Sequence, residues 1–221
     1  MQPLAILFDM DGCLVDSEPV INTAAILTLK EWGIDAQPED FAPFVGHGEE
    51  RYLSGVVEHY RGRYDPQMKR RLYEIYLEQA KQIQPHPGAK ECLDMLSQRG
   101  FKMALASSAD HVKIDANLRG AGIARSLFGA VVGAEDVIHK KPAPDLYLKA
   151  AQTLGVEPQR CIVVEDAPAG ILAARRAGMT SIALATTFDA ETLRRSAPDA
   201  VCENFEQVCK TIVRWARSFE V

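Results

Sequence analysis

The chain lacks several features that would each mark a special class of protein. Its 221 residues include only five cysteines, an odd number with no two in a CxxC motif, which argues against a disulfide framework and a zinc site. No apolar run approaches the ~20 residues that cross a bilayer, and no signal-peptide pattern precedes the first acidic residues. The formal net charge is -5, so we expect no nucleic-acid partner and no membrane association. These absences predict a cytoplasmic protein with reduced thiols.

Short apolar runs alternate with segments of helical periodicity over most of the chain. The runs lie at residues 4–8, 103–106, 130–132, 161–164 and 181–184. They are typical of strands that are buried on both faces of a parallel sheet. Strands that alternate with helices predict an α/β protein with a Rossmann-like three-layer core, in which helices cover both faces of the sheet.

One region breaks this alternation. Between Glu18 and Ile83 the sequence shows helical patterns and no convincing strand, and residues 84–88 form a breaker-rich segment that contains two prolines and a glycine. We therefore predict an α/β core domain from residues 1–15 and 86–221, with a helical cap domain inserted as residues 16–85. A chain of this size is expected to be a monomer.

Chemically active side chains follow several of the predicted strands. They are Asp9, Asp11, Ser107, Ser108, Glu165 and Asp166, joined by Lys141 at the start of a predicted helix. Ligands of an open parallel sheet bind beyond the carboxyl ends of its strands, so these groups should share one edge. Four carboxylates in one place raise one another's pKa unless a counter-charge is present. A hard divalent cation with oxygen ligands, Mg²⁺ above all, is the economical counter-charge.

Such a site makes a carboxylate nucleophile credible. Asp9 can attack phosphorus and form an aspartyl-phosphate, which divides one displacement into two easier steps. Asp11, two residues further on, can protonate the leaving oxygen and then activate water. Each motif also has a structural interpretation, such as a turn at Asp9 to Gly12 or a helix cap at Ser107 and Ser108. Their joint position at one sheet edge favours a functional site.

The order of these motifs resembles the haloacid dehalogenase-like superfamily. Residues 9–17, DMDGCLVDS, match the first signature, DxDGxxxD(S/T), and Ser107 matches the second, a Ser or Thr that ends a strand. Lys141 matches the third motif, and Glu165-Asp166 followed by residues 169–171 matches the fourth. The helical insert is similar to the small cap of the β-phosphoglucomutase-like phosphatase subgroup.

The resemblance implies a role for each matching residue. Asp9 is the nucleophile and a metal ligand, and Asp11 is the general acid and base whose backbone carbonyl also binds the metal. Asp166 completes the metal ligands, with Glu165 in support nearby or through water. Among the catalytic residues, Ser107 hydrogen-bonds the phosphoryl group. The two remaining roles are those of Ser108, whose backbone contacts the substrate, and Lys141, which offsets negative charge.

The predicted cap carries further candidates in the segment FVGHGEER. Gly46, His47, Glu49 and Arg51 are expected to contact the substrate. The alternative is a helix N-terminus at which Glu49 and its acidic neighbour complement the dipole. Both interpretations stay open at this point.

The reaction predicted from these residues is Mg²⁺-dependent hydrolysis of a small phosphorylated metabolite, with a sugar phosphate as the expected substrate. The first alternative is a β-phosphoglucomutase-type mutase. Its cap histidine, lysine and arginine are replaced here by Ile21, Val45 and Glu49, and function depends on the site rather than the fold, so hydrolysis is favoured. A non-catalytic nucleotide-binding or interaction module is the weakest alternative, because Gly46-x-Gly48 lacks the rest of a dinucleotide fingerprint.

Overall fold

The computed structural model describes residues 4–45 and 47–218. The strands in chain order are β1 (Ala5–Phe8), β2 (Val15–Asp16), β3 (Gln84–Pro85), β4 (Lys102–Ala106), β5 (Ala130–Val132), β6 (Cys161–Glu165), β7 (Thr180–Leu184) and β8 (Ala200–Cys202). The α-helices are α1 (Glu18–Glu31), α2 (Glu49–His59), α3 (Pro66–Gln79), α4 (Ala89–Gln98), α5 (His111–Gly120), α6 (Asp145–Leu154), α7 (Pro168–Arg176), α8 (Ala190–Arg195) and α9 (Phe205–Ser218). None of the helices in this described part is both long and apolar enough to cross a membrane.

Six of the strands form one parallel sheet in the order β5-β4-β1-β6-β7-β8. This arrangement confirms the predicted α/β class. The first strand lies in the middle, where Phe8 is in register with Leu105 of β4 and with Val164 of β6. The three central strands therefore end at nearly the same level, and the residues that follow them meet at one edge.

Alternate residues of the central strand enter different apolar cores. Ile6 and Phe8 pack in a cluster that includes Leu93 of α4 and Phe205 of α9. Ala5 and Leu7 pack on the opposite face in a cluster that includes Tyr147 of α6. Because both faces of β1 are fully buried, its sequence is continuously apolar rather than alternating.

Helices are the regular elements found in the described residues between β2 and β3. It comprises α1, a 3-10 helix at Pro38–Phe44, α2, α3 and a final 3-10 turn at Ala80–Gln82. Fully buried apolar side chains hold these helices together, among them Leu29, Phe41, Leu53 and Leu72. The absence of strands from the described residues between β2 and β3 agrees with the helical pattern, although the division of the insert into a separate cap domain stays a prediction.

Several local features differ from the sequence expectation. β2 and β3 form a two-stranded antiparallel ribbon, with Val15 opposite Pro85 and Asp16 opposite Gln84; elements of two residues are too short to show a period. β8, α8 and α9 lie in the last part of the chain and were not predicted. The helix predicted to start at Lys141 begins only at Asp145, as α6, because a residue that precedes proline, here Ala143, is disfavoured in helical geometry.

Candidate active site

Asp9 stands directly after β1 and is only 7% exposed. Its backbone N–H donates to the carbonyl of Val164 at 3.0 Å, which continues the ladder between β1 and β6. The Nζ of Lys141 donates to Asp9 Oδ1. Burial raises the pKa of Asp9 from 3.8 to about 7, against the opposing effect of the Lys141 cation. The carboxyl is thus held at the sheet edge with one cation as its direct partner.

Lys141 connects two carboxylates and the sheet. Its Nζ lies 2.7 Å from Glu165 Oε1 and 3.1 Å from the carbonyl oxygen of Ala106, and 4.9 Å from the centroid of the Tyr147 ring. Burial lowers the pKa of Lys141, but the charges of Asp9 and Glu165 outweigh burial and raise this pKa well above 10.5. The lysine is therefore a fixed buried cation beside the candidate nucleophile.

Glu165 uses both of its carboxylate oxygens within the protein. Oε1 accepts from Lys141 and, at 3.0 Å, from the hydroxyl of Tyr147. Oε2 accepts from the backbone N–H groups of Asp166 and Ala167 at 2.8 and 2.9 Å. A Cβ on Gly170 would lie 1.6 Å from Glu165 Oε1, so glycine at this position makes room for the carboxylate.

A buried acidic cluster lies at the sheet edge. Asp9, Glu165 and Asp166 each offer a carboxylate oxygen, and these atoms all lie within 4.8 Å of one another. Burial, followed by the charges of Glu165 and Asp9, raises the pKa of Asp166 well above 3.8. Hard oxygen donors at this spacing fit a divalent cation such as Mg²⁺. Because Glu165 is already saturated with hydrogen bonds, Asp9 and Asp166 are the better placed direct ligands.

Gly12 allows the acidic cluster to approach the chain closely. Its φ is +77°, and a Cβ there would lie 2.3 Å from Asp166 Oδ2 and 2.3 Å from Thr187 Oγ1. A side chain would be both strained and displaced by these atoms. The glycine of the first signature is therefore required by space as well as by backbone conformation.

Asp11 is held through one of its two oxygens. Oδ1 accepts from the Ser17 hydroxyl, from Asn117 Nδ2 at 2.9 Å and from Lys113 Nζ at 3.0 Å. Oδ2 has a weaker contact, with Ser107 Oγ at 3.5 Å. The side chain is outside the acidic cluster, so a role in metal binding would fall to its backbone carbonyl. Oδ2 is therefore the less engaged of the two oxygens.

The serines after β4 lie on the wall of the same cavity as Asp9 and Asp11. Ser107 Oγ accepts from the backbone N–H of Ala109 at 3.1 Å. The Oγ of Ser108 is buried and has no hydrogen-bond partner among the residues that the structure describes. Both serines therefore line the cavity, and Ser107 Oγ is the one of the two hydroxyls with described partners, Ala109 and Asp11.

The cap candidates divide into two groups. Glu49 lines the cavity and lies 3.0 Å from Lys113 Nζ through Oε1. Arg51 instead pairs with Glu58 at 2.9 Å on the surface, and His47 is exposed, with Nδ1 3.0 Å from the carbonyl of Val45; neither is among the described lining residues. Gly46 lies outside the described residues.

Sequence reasoning missed four residues of this site. They are Lys113, Asn117, Tyr147 and Thr187, all of which contact the carboxylates described above or lie against them. Lys113 and Asn117 are buried polar residues four apart on α5. Polar residues on the buried face of a predicted helix are the signal that would have identified them.

The fold and the site together define an α/β enzyme with a carboxylate-lined active site. The sequence model of the haloacid dehalogenase-like hydrolase family matches residues 3–178 of the chain. The chain therefore belongs to this family. It is 35% identical over 216 residues to hexitol phosphatase A of Escherichia coli (strain K12), covering 96% of this chain and 95% of that one. The family match and the similarity to this phosphatase place the activity of the chain among the phosphoric monoester hydrolases.

Two further comparisons describe the breadth of the similarity. The chain is 41% identical over 212 residues to the protein SUPPRESSOR OF QUENCHING 1, chloroplastic, of Arabidopsis thaliana, which covers 92% of this chain but only 20% of the plant protein. The crystal structure of β-phosphoglucomutase from Clostridium difficile is 25% identical with a TM-score of 0.83, and the match covers 93% of each chain. Fold similarity thus extends to both phosphatases and a mutase.

Proposed function

We propose that the protein is an Mg²⁺-dependent phosphatase that hydrolyses a phosphorylated sugar or polyol through an aspartyl-phosphate on Asp9. The observation that carries the proposal is that the carboxyl groups of Asp9, Asp166 and Glu165 are buried close together at one sheet edge. The ammonium group of Lys141 lies beside them. The similarity to a hexitol phosphatase over almost the full length of both chains supports a hydroxyl-rich substrate. A cytoplasmic location and a monomeric state stay predictions.

In the first step an oxygen of Asp9 forms a bond to phosphorus while the bond from phosphorus to the leaving oxygen breaks. Asp11 donates its proton to that oxygen from Oδ2, since Oδ1 is held by Ser17, Lys113 and Asn117. The Nζ of Lys141 and the hydroxyl of Ser107 offset charge on the transferring phosphoryl group.

In the second step water attacks the phosphorus of the aspartyl-phosphate and Asp11 takes up the proton of that water. The bond to Asp9 breaks, which releases inorganic phosphate and restores the carboxylate. Mg²⁺ held by Asp9, Asp166 and the backbone carbonyl of Asp11 would supply positive charge to the phosphate oxygens. The protein supplies the orientation of all three carboxyl groups.

Hydrolysis fits the cavity better than mutase chemistry. A mutase must hold a second phosphate group while it returns the first, which needs cations on the cap side. Here Ile21, Val45 and Glu49 line that side, and none of them is a cation. A carboxylate at Glu49 would repel a second phosphate.

Phosphate release from p-nitrophenyl phosphate and from a hexitol monophosphate tests the proposal. We expect turnover with Mg²⁺, loss of turnover in EDTA, and a loss of at least ~10³-fold in Asp9→Asn, because the substitution removes the nucleophile itself. Asp94→Asn, an exposed Asp on α4, is the matched control and should keep full activity. Full turnover in EDTA would contradict the metal requirement, and full turnover in Asp9→Asn would contradict the nucleophile.

A further inference from the structure

A chain of charged side chains connects the candidate general acid to the helical insert. Lys113 Nζ lies 3.0 Å from Asp11 Oδ1 and 3.0 Å from Glu49 Oε1. The side chains of Lys113 and Glu49 are 5% and 4% exposed. One buried lysine from α5 thus serves two carboxylates, one on the loop after β1 and one on α2. Its charge is already balanced and is not free to bind a second anion.

Glu49 keeps one oxygen uncommitted. Its Oε2 is buried and has no hydrogen-bond partner within residues 4–45 and 47–218. A carboxylate oxygen without a donor is costly in a buried place. The residue lines the same cavity as Asp9 and Ser108, and the Ser108 hydroxyl is likewise buried without a partner. Two residues of the cavity lining, Glu49 and Ser108, thus each carry a buried polar atom without a described partner.

The charges around the cavity favour one class of leaving group. Its described lining includes six carboxyl side chains, Asp9, Asp11, Glu18, Glu49, Glu165 and Asp166, against the two lysines Lys113 and Lys141. Both lysines are paired with carboxylates. Even with Lys140, whose Nζ lies beside Gly48 on the cavity wall, carboxyl groups outnumber the cations, and a leaving group with its own carboxylate or phosphate would meet Glu49. A neutral hydroxyl would instead supply the donor that Glu49 Oε2 lacks, since an ionised carboxylate only accepts hydrogen bonds.

We propose that Glu49 determines substrate selectivity: Oε2 accepts a hydrogen bond from a hydroxyl of a neutral, hydroxyl-bearing leaving group and rejects leaving groups with a second anionic group. The Ser108 hydroxyl provides a second hydrogen bond to the same group. This inference rests on the proposed phosphatase function. Glu49 occupies the position at which a β-phosphoglucomutase-type enzyme would carry a cationic side chain, and here its carboxylate has a role in specificity.

The test is the ratio of kcat/KM values for two substrates, a hexitol monophosphate and phosphoglycolate, in the full chain with Mg²⁺. Wild type should prefer the hexitol monophosphate. Glu49→Gln should reduce this preference by roughly 10-fold or more, because the hydrogen bond to the substrate hydroxyl loses its charged acceptor and a carboxylate no longer repels the second substrate. Ser108→Ala should lower the preference in the same direction.

The matched control is Glu50→Gln, which changes the adjacent exposed residue of α2 and should leave the ratio at the wild-type value. An unchanged ratio in Glu49→Gln would overturn the selectivity role and leave the phosphatase proposal intact. An equal loss on both substrates would also overturn it, since Glu49 would then act only through Lys113 and Asp11. Absence of turnover by wild type on every phosphate ester, p-nitrophenyl phosphate included, would instead remove the proposed function on which the inference rests.

Discussion

The buried carboxyl of Asp9 should make the folded protein less stable at pH 8 than a neutral side chain would. Burial raises its pKa from 3.8 to about 7, so the folded state binds the proton more tightly than the unfolded chain. Stability is therefore lost as the pH rises from the unfolded pKa to the folded pKa, and the loss is complete above it. At about 1.36 kcal/mol for each pH unit, the cost is about 2 kcal/mol at pH 5 and about 4 kcal/mol at pH 8.

Asp9→Asn keeps the size of the side chain and removes the charge. Urea unfolding in EDTA should show that this substitution raises the free energy of unfolding, and that the gain is about 2–3 kcal/mol larger at pH 8 than at pH 5. The midpoint should move with an unchanged m-value. Asp94→Asn, with its exposed carboxyl, serves as the control and should show no such difference. An equal gain at both pH values, or a loss of stability at pH 8, would refute the reasoning.

Three further substitutions probe the groups around the acidic cluster. Gly170→Ala places a methyl group 1.6 Å from Glu165 Oε1; it should cost about 1–3 kcal/mol in urea unfolding and lower kcat/KM for p-nitrophenyl phosphate. Tyr147→Phe removes the hydroxyl that donates to Glu165 at 3.0 Å, and thermal unfolding should show a loss of about 1–3 kcal/mol. Mg²⁺ should raise the Tm of the wild-type chain, because a ligand of the folded state stabilises it, and Asp166→Asn should abolish most of that rise; an undiminished rise would exclude Asp166 as a ligand.

Much of the fold follows from local patterns that the sequence shows directly. The apolar residues of β1 and β6 are buried on both faces, and this environment is what makes their runs continuous. Asp9, Ser107 and the Glu165-Asp166 pair come together because parallel strands in register end at one edge. Their roles in catalysis remain proposals, but their proximity was predictable because each follows the carboxyl end of a predicted parallel strand.

Other parts of the site depend on tertiary geometry. Lys113 and Asn117 reach Asp11 only because α5 turns one face toward the loop after β1. In the cap segment, Glu49 enters the cavity, whereas Arg51, two residues later on α2, points to Glu58 on the surface. A helix rotates by about 100° per residue, so residues two apart lie on nearly opposite faces. The sequence alone did not show which face the core would cover.

The most direct test of the account is to identify the residue that receives the phosphoryl group. With p-nitrophenyl phosphate the leaving group needs little help from an acid, whereas hydrolysis of the phosphoenzyme still needs a base. Acid-quenched Asp11→Asn should therefore accumulate one phosphoryl group on the peptide that contains Asp9, detected by mass spectrometry, and Asp9→Asn should carry none. A phosphoryl group on any other residue, or the same labelling in Asp9→Asn, would contradict Asp9 as the nucleophile.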